Sequence, residues 1–226
     1  MVATATCAAI PRAKRRHGRN WRDSKKAEHG ECVLLSQDEA RFPLVPTLRA
    51  TLGVKGHRPR VGTWDNKGQV YCFAALNLLS GRLTTRLLDN PARVQAVTGR
   101  SKVSRLQAAF AAHLPDIARA YPAARHPRVV VVIDNAAWHR GAPVSQVLAE
   151  QPHLTLYRLP SYSPHLNVVE RLWRVLRRRA THNRLFATMA ALRRALRASL
   201  CYYQTLRHKV RSLIRAPKNV AQSAAA

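Results

Sequence analysis

Acidic residues are scarce in this chain, so a carboxylate near the end of an apolar segment is a candidate for chemistry. The 226 residues include only 11 Asp and Glu. Asp38 follows a short apolar run, Asp134 follows the run Val129–Ile133, and Glu170 lies near the start of a segment with helical periodicity. In open sheets with helices on their faces, sites form beyond the carboxyl ends of the strands. We therefore expect the three carboxylates to converge at one end of a sheet.

Three carboxylates in one place repel each other unless a cation lies between them. Two like charges ~4 Å apart cost about 1 kcal/mol in water and about 4 kcal/mol at an effective dielectric constant of 20. Mg²⁺ and Mn²⁺ prefer oxygen ligands and keep open positions that substrate phosphates can complete. Two such ions can activate an attacking water or hydroxyl and stabilise the leaving oxygen of an in-line phosphoryl transfer. The three acids together therefore indicate a metal-dependent phosphoryl-transfer site.

Each acid also has a structural explanation when it is taken alone. Asp38 could form a turn at the end of its strand, and Asp134 could form an Asx turn after a buried strand. Glu170 matches a capping box with Asn167 and an i,i+4 ion pair with Arg174. The metal-site interpretation therefore depends on the three residues jointly.

The apolar periodicity predicts three strands, a helix, a strand, a further helix, a strand and two C-terminal helices. The first three strands are separated by turns, which favours an antiparallel meander, and the later alternation of strands and helices favours parallel strands. The fold class expected is α/β, a mixed sheet flanked by helices. Strands are predicted at residues 32–36, 69–79, 82–88, 129–133 and 154–159, and helices at 101–113, 167–180 and 187–207.

A large positive charge indicates a polyanionic partner. The chain has 39 Lys and Arg, a formal net charge of +28 and a pI near 11.6. Such a charge is self-repulsive unless a partner neutralises it, and each phosphate contact of nucleic acid releases counterions. The longest apolar run has far fewer than the ~20 residues that cross a bilayer, which excludes a membrane-spanning protein. Basicity alone does not separate an enzyme from a passive binder.

The ends of the chain and its cysteines complete the expected organisation. Residues 1–30 are predicted to be a basic, disordered, phosphate-seeking arm, although transit peptides share an Arg-rich, acid-poor composition. The C-terminal part, 186–226, is predicted to be a basic helix and tail. No pair of cysteines has disulfide-scaffold or zinc spacing, so they are interpreted as core residues in a reducing cytosol. The cysteines are Cys7, Cys32, Cys72 and Cys201.

Three segments around the acids resemble the catalytic domain of DDE transposases. They are residues 37–42, residues 132–139 and residues 159–173, the last containing the string Ser-Pro-x-Leu-Asn-x-x-Glu-x-x-Trp. Between Asp134 and Glu170 lie 35 residues, close to the spacing in that superfamily. The most similar branch is the bacterial insertion-sequence group of the mariner-like superfamily, and the resemblance covers about residues 31–185.

The resemblance implies a ribonuclease-H-like fold with Asp38, Asp134 and Glu170 as first, second and third acids. It implies that they hold Mg²⁺, or Mn²⁺, for nicking of a DNA strand by water and for attack of a 3′-hydroxyl on target DNA. Glu39 is an alternative ligand, although alternation along a strand would point it to the opposite face.

Basic residues near these segments are predicted to contact DNA phosphates, which would fix position without reading sequence. One group lies in the loop after the first strand, in a stretch that also resembles these enzymes, and the other in the helix after Glu170. His139 is expected to contact phosphate or to orient a ligand, and a surface or capping role is the open alternative. The full set is Lys55, Arg58, Arg60, His139, Arg174, Arg177 and Arg178.

One departure from the family concerns DNA recognition. Transposases of this kind usually carry helix-turn-helix modules before the catalytic domain, whereas about 30 residues precede the first predicted strand here. The chain is therefore expected to be a catalytic part whose N-terminal DNA-binding part is separate or missing. By resemblance its partners are transposon ends, target DNA and a second copy in a homodimer, and it would act in the bacterial cytoplasm on nucleoid DNA.

Two other functions stay open on the sequence. One is an inactive transposase remnant that only binds nucleic acid through its basic surface. The other is a nuclease that shares the metal chemistry and acts on RNA–DNA hybrids.

Overall fold

A computed structural model of the chain describes residues 32–57, 59–63, 67–90, 99, 101–160 and 167–214. The expectations for residues 1–30 and for Arg58 lie outside these ranges, as does the 161–166 portion of the motif before Asn167. None of the helices in the described part of the chain combines the length and apolar character needed to cross a membrane.

Five strands form one mixed sheet within the described residues, in the order β3-β2-β1-β4-β5. β1 pairs with β2, and β2 with β3, in antiparallel fashion, whereas β4 is parallel to both β1 and β5. This confirms the predicted meander followed by parallel strands. The strands are β1 (Val33–Pro43), β2 (Gln69–Asn77), β3 (Leu83–Asn90), β4 (Val129–Ile133) and β5 (Leu154–Arg158).

The first strand is longer than predicted, and this changes the position of Asp38. The prediction ended the strand at Ser36, but β1 stays paired with β2 as far as Pro43 opposite Gln69. Phe42 is fully buried, so apolar contacts continue beyond the polar residues that suggested an exit. Asp38 therefore lies in the middle of a strand, and the expected strand end before it is wrong.

Helices cover both faces of the sheet. On one face α1 packs over Leu35 and the odd-numbered residues of β4, and on the other α3, α4 and α5 pack over Phe42 and its neighbours. The core of the second face includes α4 residues such as Leu196, so this helix of the predicted C-terminal part shares a core with the sheet. The helices are α1 (Lys102–Ala120), α2 (Ala142–Glu150), α3 (Val169–Ala180), α4 (Met189–Thr205) and α5 (Arg207–Ile214).

The helix that covers the first face also extends beyond its predicted end. Ser101 caps it by accepting a hydrogen bond from the Ser104 backbone N–H, as a cap serine does. The prediction stopped at residue 113, whereas the helix continues to Ala120 with Pro115 inside it. Leu114 and Ile117 continue the buried stripe, and their burial maintains the helix through the proline. α5 was not predicted.

An ion pair between Asp116 and Arg86 joins α1 to β3, the edge strand of the meander. Arg86 on β3 donates two hydrogen bonds to Asp116 on α1, at 2.7 Å and 3.0 Å. The His113 ring, 3.8 Å from Asp116, and the Arg86 guanidinium hold the pKa of the Asp116 carboxyl far below its usual value, although burial opposes them.

Asp116→Asn is expected to lower the free energy of unfolding at pH 7 by about 1 kcal/mol, because solvent screens the partly exposed Arg86 partner. A carboxyl with a lowered pKa stabilises the fold above its unfolded pKa of about 4, and this contribution is lost as the pH falls further. Urea unfolding of both proteins at pH 7 and pH 3 should therefore give the larger difference at pH 7. An equal difference at both values would contradict the assignment.

Candidate metal centre

The parallel pairing of β1 and β4 brings Asp38 and Asp134 opposite each other. The paired register ends with Ser36 opposite Val132, and the two acids come two residues further along their chains. β4 ends at Ile133, so Asp134 begins the loop after the strand. The two acids predicted from the sequence are therefore neighbours at the carboxyl end of the parallel pair.

Asp38 is a largely buried carboxylate with an indole donor. Trp173 on α3 is buried and donates a hydrogen bond from Nε1 to Asp38 Oδ2, 2.7 Å away. Burial, together with the negative charges of Glu39 and Asp134, raises the pKa of Asp38 to about 7 despite this hydrogen bond. The uncompensated charge at Asp38 is the electrostatic condition that a divalent cation would relieve.

Asp134 is held through one of its two oxygens. Its Oδ1 accepts a hydrogen bond from the Ala136 backbone N–H at 2.9 Å, which is the Asx turn predicted as the structural alternative. His139 Nδ1 also lies 2.9 Å from Oδ1 and, against the effect of burial, lowers the pKa of Asp134. Within the described residues, the hydrogen bonds to this carboxylate all reach Oδ1, and the side chain is 49% exposed. The turn and a ligand role are therefore compatible.

The loop after β4 is attached to the end of β5. Asn135 Nδ2 donates to the Leu159 carbonyl at 2.6 Å, and the Leu159 N–H donates to the Ile133 carbonyl at 2.8 Å. Arg158 Nη2 donates to the carbonyl of His139 at 2.9 Å. These contacts fix the backbone that carries Asp134.

Glu170 lies in the first turn of α3, the helix that contacts Asp38. Asn167 accepts hydrogen bonds from Ser36 Oγ at 3.0 Å and from the Val169 N–H at 3.3 Å, so the start of the helix is attached to β1. Glu170 precedes Trp173 by three residues, which places the two side chains on neighbouring positions of the helix surface. Glu170 is exposed, and it forms none of the ion pairs found among the described residues, including the one predicted with Arg174.

A second, buried cluster lies on the opposite face of β1. Glu39 faces away from Asp38, as the alternation predicted, and accepts hydrogen bonds from Trp138 Nε1 and from Gln37 Nε2. His139 lies between the two carboxylates, with Nε2 3.3 Å from Glu39 Oε2 and Nδ1 on Asp134. Burial lowers the pKa of His139, but the hydrogen bonds to Asp134 and Glu39 raise it to about 9.

The sequence did not reveal the link between Glu39 and His139. The side chain of His139 is only 1% exposed, so a phosphate contact, which stays a prediction, would require the residue to be uncovered. The sequence contains two weak signals of this link. Alternation along β1 places Glu39 on the face opposite Asp38, and His139 follows Asp134 by only five residues in the chain.

The carboxylate oxygens on the Asp38 side fit Mg²⁺ or Mn²⁺ better than the buried cluster does. Ligand atoms of Glu39, Asp134 and His139 lie within 4.8 Å of one another, which alone would admit an ion. However, each ring nitrogen of His139 is already at hydrogen-bonding distance from a carboxylate oxygen. Asp38 and Asp134 offer oxygen ligands, which these hard cations prefer.

The predicted DNA contacts occupy two regions. Lys55 and Arg60 are exposed in the segment between β1 and β2, and Arg174 and Arg178 are exposed on α3. Arg177 is half-buried, and its guanidinium lies 5.4 Å from the centre of the Phe42 ring. The negative charges of Asp38 and Glu170 interact electrostatically with this guanidinium.

Comparisons with known proteins identify a family and relatives for this chain. A family described as DDE superfamily endonuclease matches residues 33–193. An insertion element IS630 uncharacterized 39 kDa protein of Shigella sonnei is 29% identical over 175 residues, which are 77% of this chain and 46% of that protein. The uncharacterized protein y4pE/y4sA of Sinorhizobium fredii is 36% identical over 74 residues, 33% of this chain and 50% of that protein. The chain spans about half the length of these relatives.

Solved structures share the fold at low sequence identity. A pre-cleavage Mos1 transpososome matches with a TM-score of 0.56 and 16% identity, over 84% of this chain and 56% of that chain. The catalytic domain of the Mos1 mariner transposase matches with a TM-score of 0.51 and 16% identity, over 84% of this chain and 82% of that chain. The ribonuclease-H-like fold predicted from the sequence is thereby confirmed.

Asp38→Asn is expected to stabilise the metal-free fold, and to do so more at pH 8 than at pH 5. Because the pKa of Asp38 is raised on folding, its titration lowers stability as the pH rises from about 4, the unfolded value, to about 7. Asn lacks this titration and still accepts the Trp173 hydrogen bond. One pKa unit corresponds to about 1.4 kcal/mol, so the gain reaches roughly 2–4 kcal/mol at pH 8.

Urea unfolding in the presence of EDTA measures this gain. A gain in unfolding free energy that is equal at both pH values, or larger at pH 5, would show that folding does not raise the pKa of Asp38.

Proposed function

Because the chain belongs to the DDE superfamily endonucleases, we propose that it is the catalytic part of a transposase that cleaves DNA strands and joins them to target DNA. The observation that carries this proposal is the proximity of Asp38, on β1, to Asp134, in the loop that directly follows the adjacent parallel strand β4. The raised pKa of Asp38 supports it, since burial, followed by the negative charges of Glu39 and Asp134, makes the charged carboxylate unfavourable without a cation.

Asp38, Asp134 and Glu170 are proposed to hold two Mg²⁺ or Mn²⁺ ions. Bound divalent cations supply an activated water or 3′-hydroxyl and stabilise the leaving oxygen of a phosphodiester. Trp173 orients Asp38 through its indole hydrogen bond. The Asx turn and His139 orient Asp134 through Oδ1, which leaves Oδ2 for a ligand.

DNA is the proposed partner. The formal charge of +28 favours a polyanion, and the exposed Arg174 and Arg178 follow Glu170 on the same helix. Lys55 and Arg60 would extend the phosphate contacts, and Arg58 belongs to the same sequence stretch. Arg177, between the acids and the basic helix surface, is proposed to contact a phosphate next to the metal centre. Solved structures with the same fold also include Mos1 paired-end complexes, which supports DNA ends as the substrate.

The proposal extends to the assembly in which the chain works. Recognition of transposon ends is assigned to a separate or missing N-terminal part, and cutting of paired ends to a homodimer. The site of action proposed is the bacterial nucleoid.

Asp134→Asn is expected to reduce Mg²⁺-dependent nicking of supercoiled plasmid by at least about 100-fold, because loss of a metal-holding carboxylate removes several kcal/mol of transition-state stabilisation. Retention of the plasmid should be unchanged or slightly stronger, since the substitution removes a negative charge. Nicking is followed on agarose gels and retention by filter binding.

Glu150→Gln, which removes an exposed acid on α2, is the matched control and should nick at the parental rate. Equal nicking by the parental and Asp134→Asn proteins would contradict the site assignment. Salt-sensitive binding without metal-dependent cutting by any of the three would instead favour the binding remnant. Parallel cleavage assays on RNA–DNA hybrids test the remaining alternative, a hybrid-specific nuclease, because such an enzyme would cleave hybrids in preference to duplex DNA.

A further inference from the structure

The backbone pairing of the sheet does not by itself orient the Asp134 side chain. The β1–β4 ladder ends at Ser36 and Val132, and Asp134 belongs to the loop that follows. Its side chain is 49% exposed, so packing restrains it little. The Ala136 N–H of the Asx turn restrains Oδ1 from within the loop itself. A contact from outside the loop would fix the direction of a cation-holding carboxylate further.

The His139 ring supplies such a contact, and its own position is tightly defined. It is 1% exposed and lies against Phe110 of α1, with ring centroids 4.4 Å apart. Its carbonyl accepts a hydrogen bond from Arg158, so the backbone is restrained as well as the ring. Nδ1 then meets Asp134 Oδ1 at 2.9 Å.

Glu39 anchors the other side of the ring to the central strand. Its carboxylate is 7% exposed, lies 3.3 Å from His139 Nε2 and accepts further hydrogen bonds from Gln37 and Trp138. Glu39 is also the immediate neighbour of Asp38 on β1. The same strand thus fixes Asp38 directly and fixes Asp134 through Glu39 and His139.

We infer that Glu39 and His139 are positioning residues, which hold Asp134 Oδ1 on the buried side so that Oδ2 remains for the divalent cation. The inference rests on the proposed function for the identity of the reaction, but the restraint itself is a matter of the contacts described. It differs from a ligand role, because neither Glu39 nor the ring nitrogens of His139 would bind the ion.

Two amides at position 139 separate the two contacts of the ring. In His139→Asn the amide nitrogen takes the place of Nδ1, so it can donate to Asp134 but cannot reach Glu39. In His139→Gln the amide nitrogen takes the place of Nε2, so it can reach Glu39 but not Asp134. Both changes lose the packing against Phe110, so a purely structural role predicts similar effects for the two.

The test is the affinity of the full chain for Mn²⁺, measured by isothermal titration calorimetry, with urea unfolding in EDTA beside it. His139→Gln is expected to weaken binding by about 10–100-fold, as loss of a contact behind a ligand does, and His139→Asn by less than about 3-fold. The two variants should be destabilised by similar amounts. Nicking rates should follow the order of the affinities.

Glu39→Gln keeps the shape of the anchor and provides a second, milder variant if both changes at position 139 impair folding. It should weaken Mn²⁺ binding by about 3–10-fold without loss of stoichiometry. Glu150→Gln is the matched control for the loss of a carboxylate and should bind Mn²⁺ as the parental chain does.

Equal Mn²⁺ affinities of His139→Asn and His139→Gln, or of Glu39→Gln and the parental chain, would overturn the positioning role. A lower stoichiometry in both variants at position 139 would also overturn it, since it would make the cluster a ligand set. If Asp38→Asn loses Mn²⁺ binding and the variants at positions 39 and 139 do not, the positioning role is wrong and the proposed function is retained. If the parental chain binds no Mn²⁺, both proposals fail.

Discussion

The parallel pairing of β1 with β4 is the contact on which the site depends. Val129–Ile133 are buried on both faces of the sheet, and full burial of such a side chain stabilises the fold by about 1.5–3 kcal/mol. Burial of five such side chains opposes the repulsion between the two nearby carboxylates. The apolar strand can therefore hold Asp134 opposite Asp38 before any cation is present.

The consecutive residues Asp38 and Glu39 of β1 point to opposite faces of the sheet, and each carboxylate accepts a hydrogen bond from a different tryptophan. Asp38 faces α3 and accepts a hydrogen bond from Trp173, whereas Glu39 faces α1 and accepts one from Trp138. Their environments then separate their roles. Asp38 keeps an unfavourable charge, while Glu39 has three donors around it, including His139.

The sequence predicted those features that depend on neighbours along the chain. The buried β-branched run before Asp134 is specific for a central strand, and the position of the acid follows from it. The predicted end of β1 was wrong. The polar residues 37–39 suggested that the strand stops there, whereas pairing with β2 and the burial of Phe42 continue it to Pro43. The contact between Glu39 and His139 joins residues 100 positions apart and arises only when β1 and β4 are paired. Local patterns contain no information on such a contact.

The most direct test of the metal centre is an anomalous difference map from crystals of the protein grown with Mn²⁺. We expect the strongest peak between the carboxylates of Asp38 and Asp134, with Glu170 drawn toward it. A strongest peak at Glu39 and His139, with none at Asp38, would contradict the assignment of the acids and make the buried cluster the binding site.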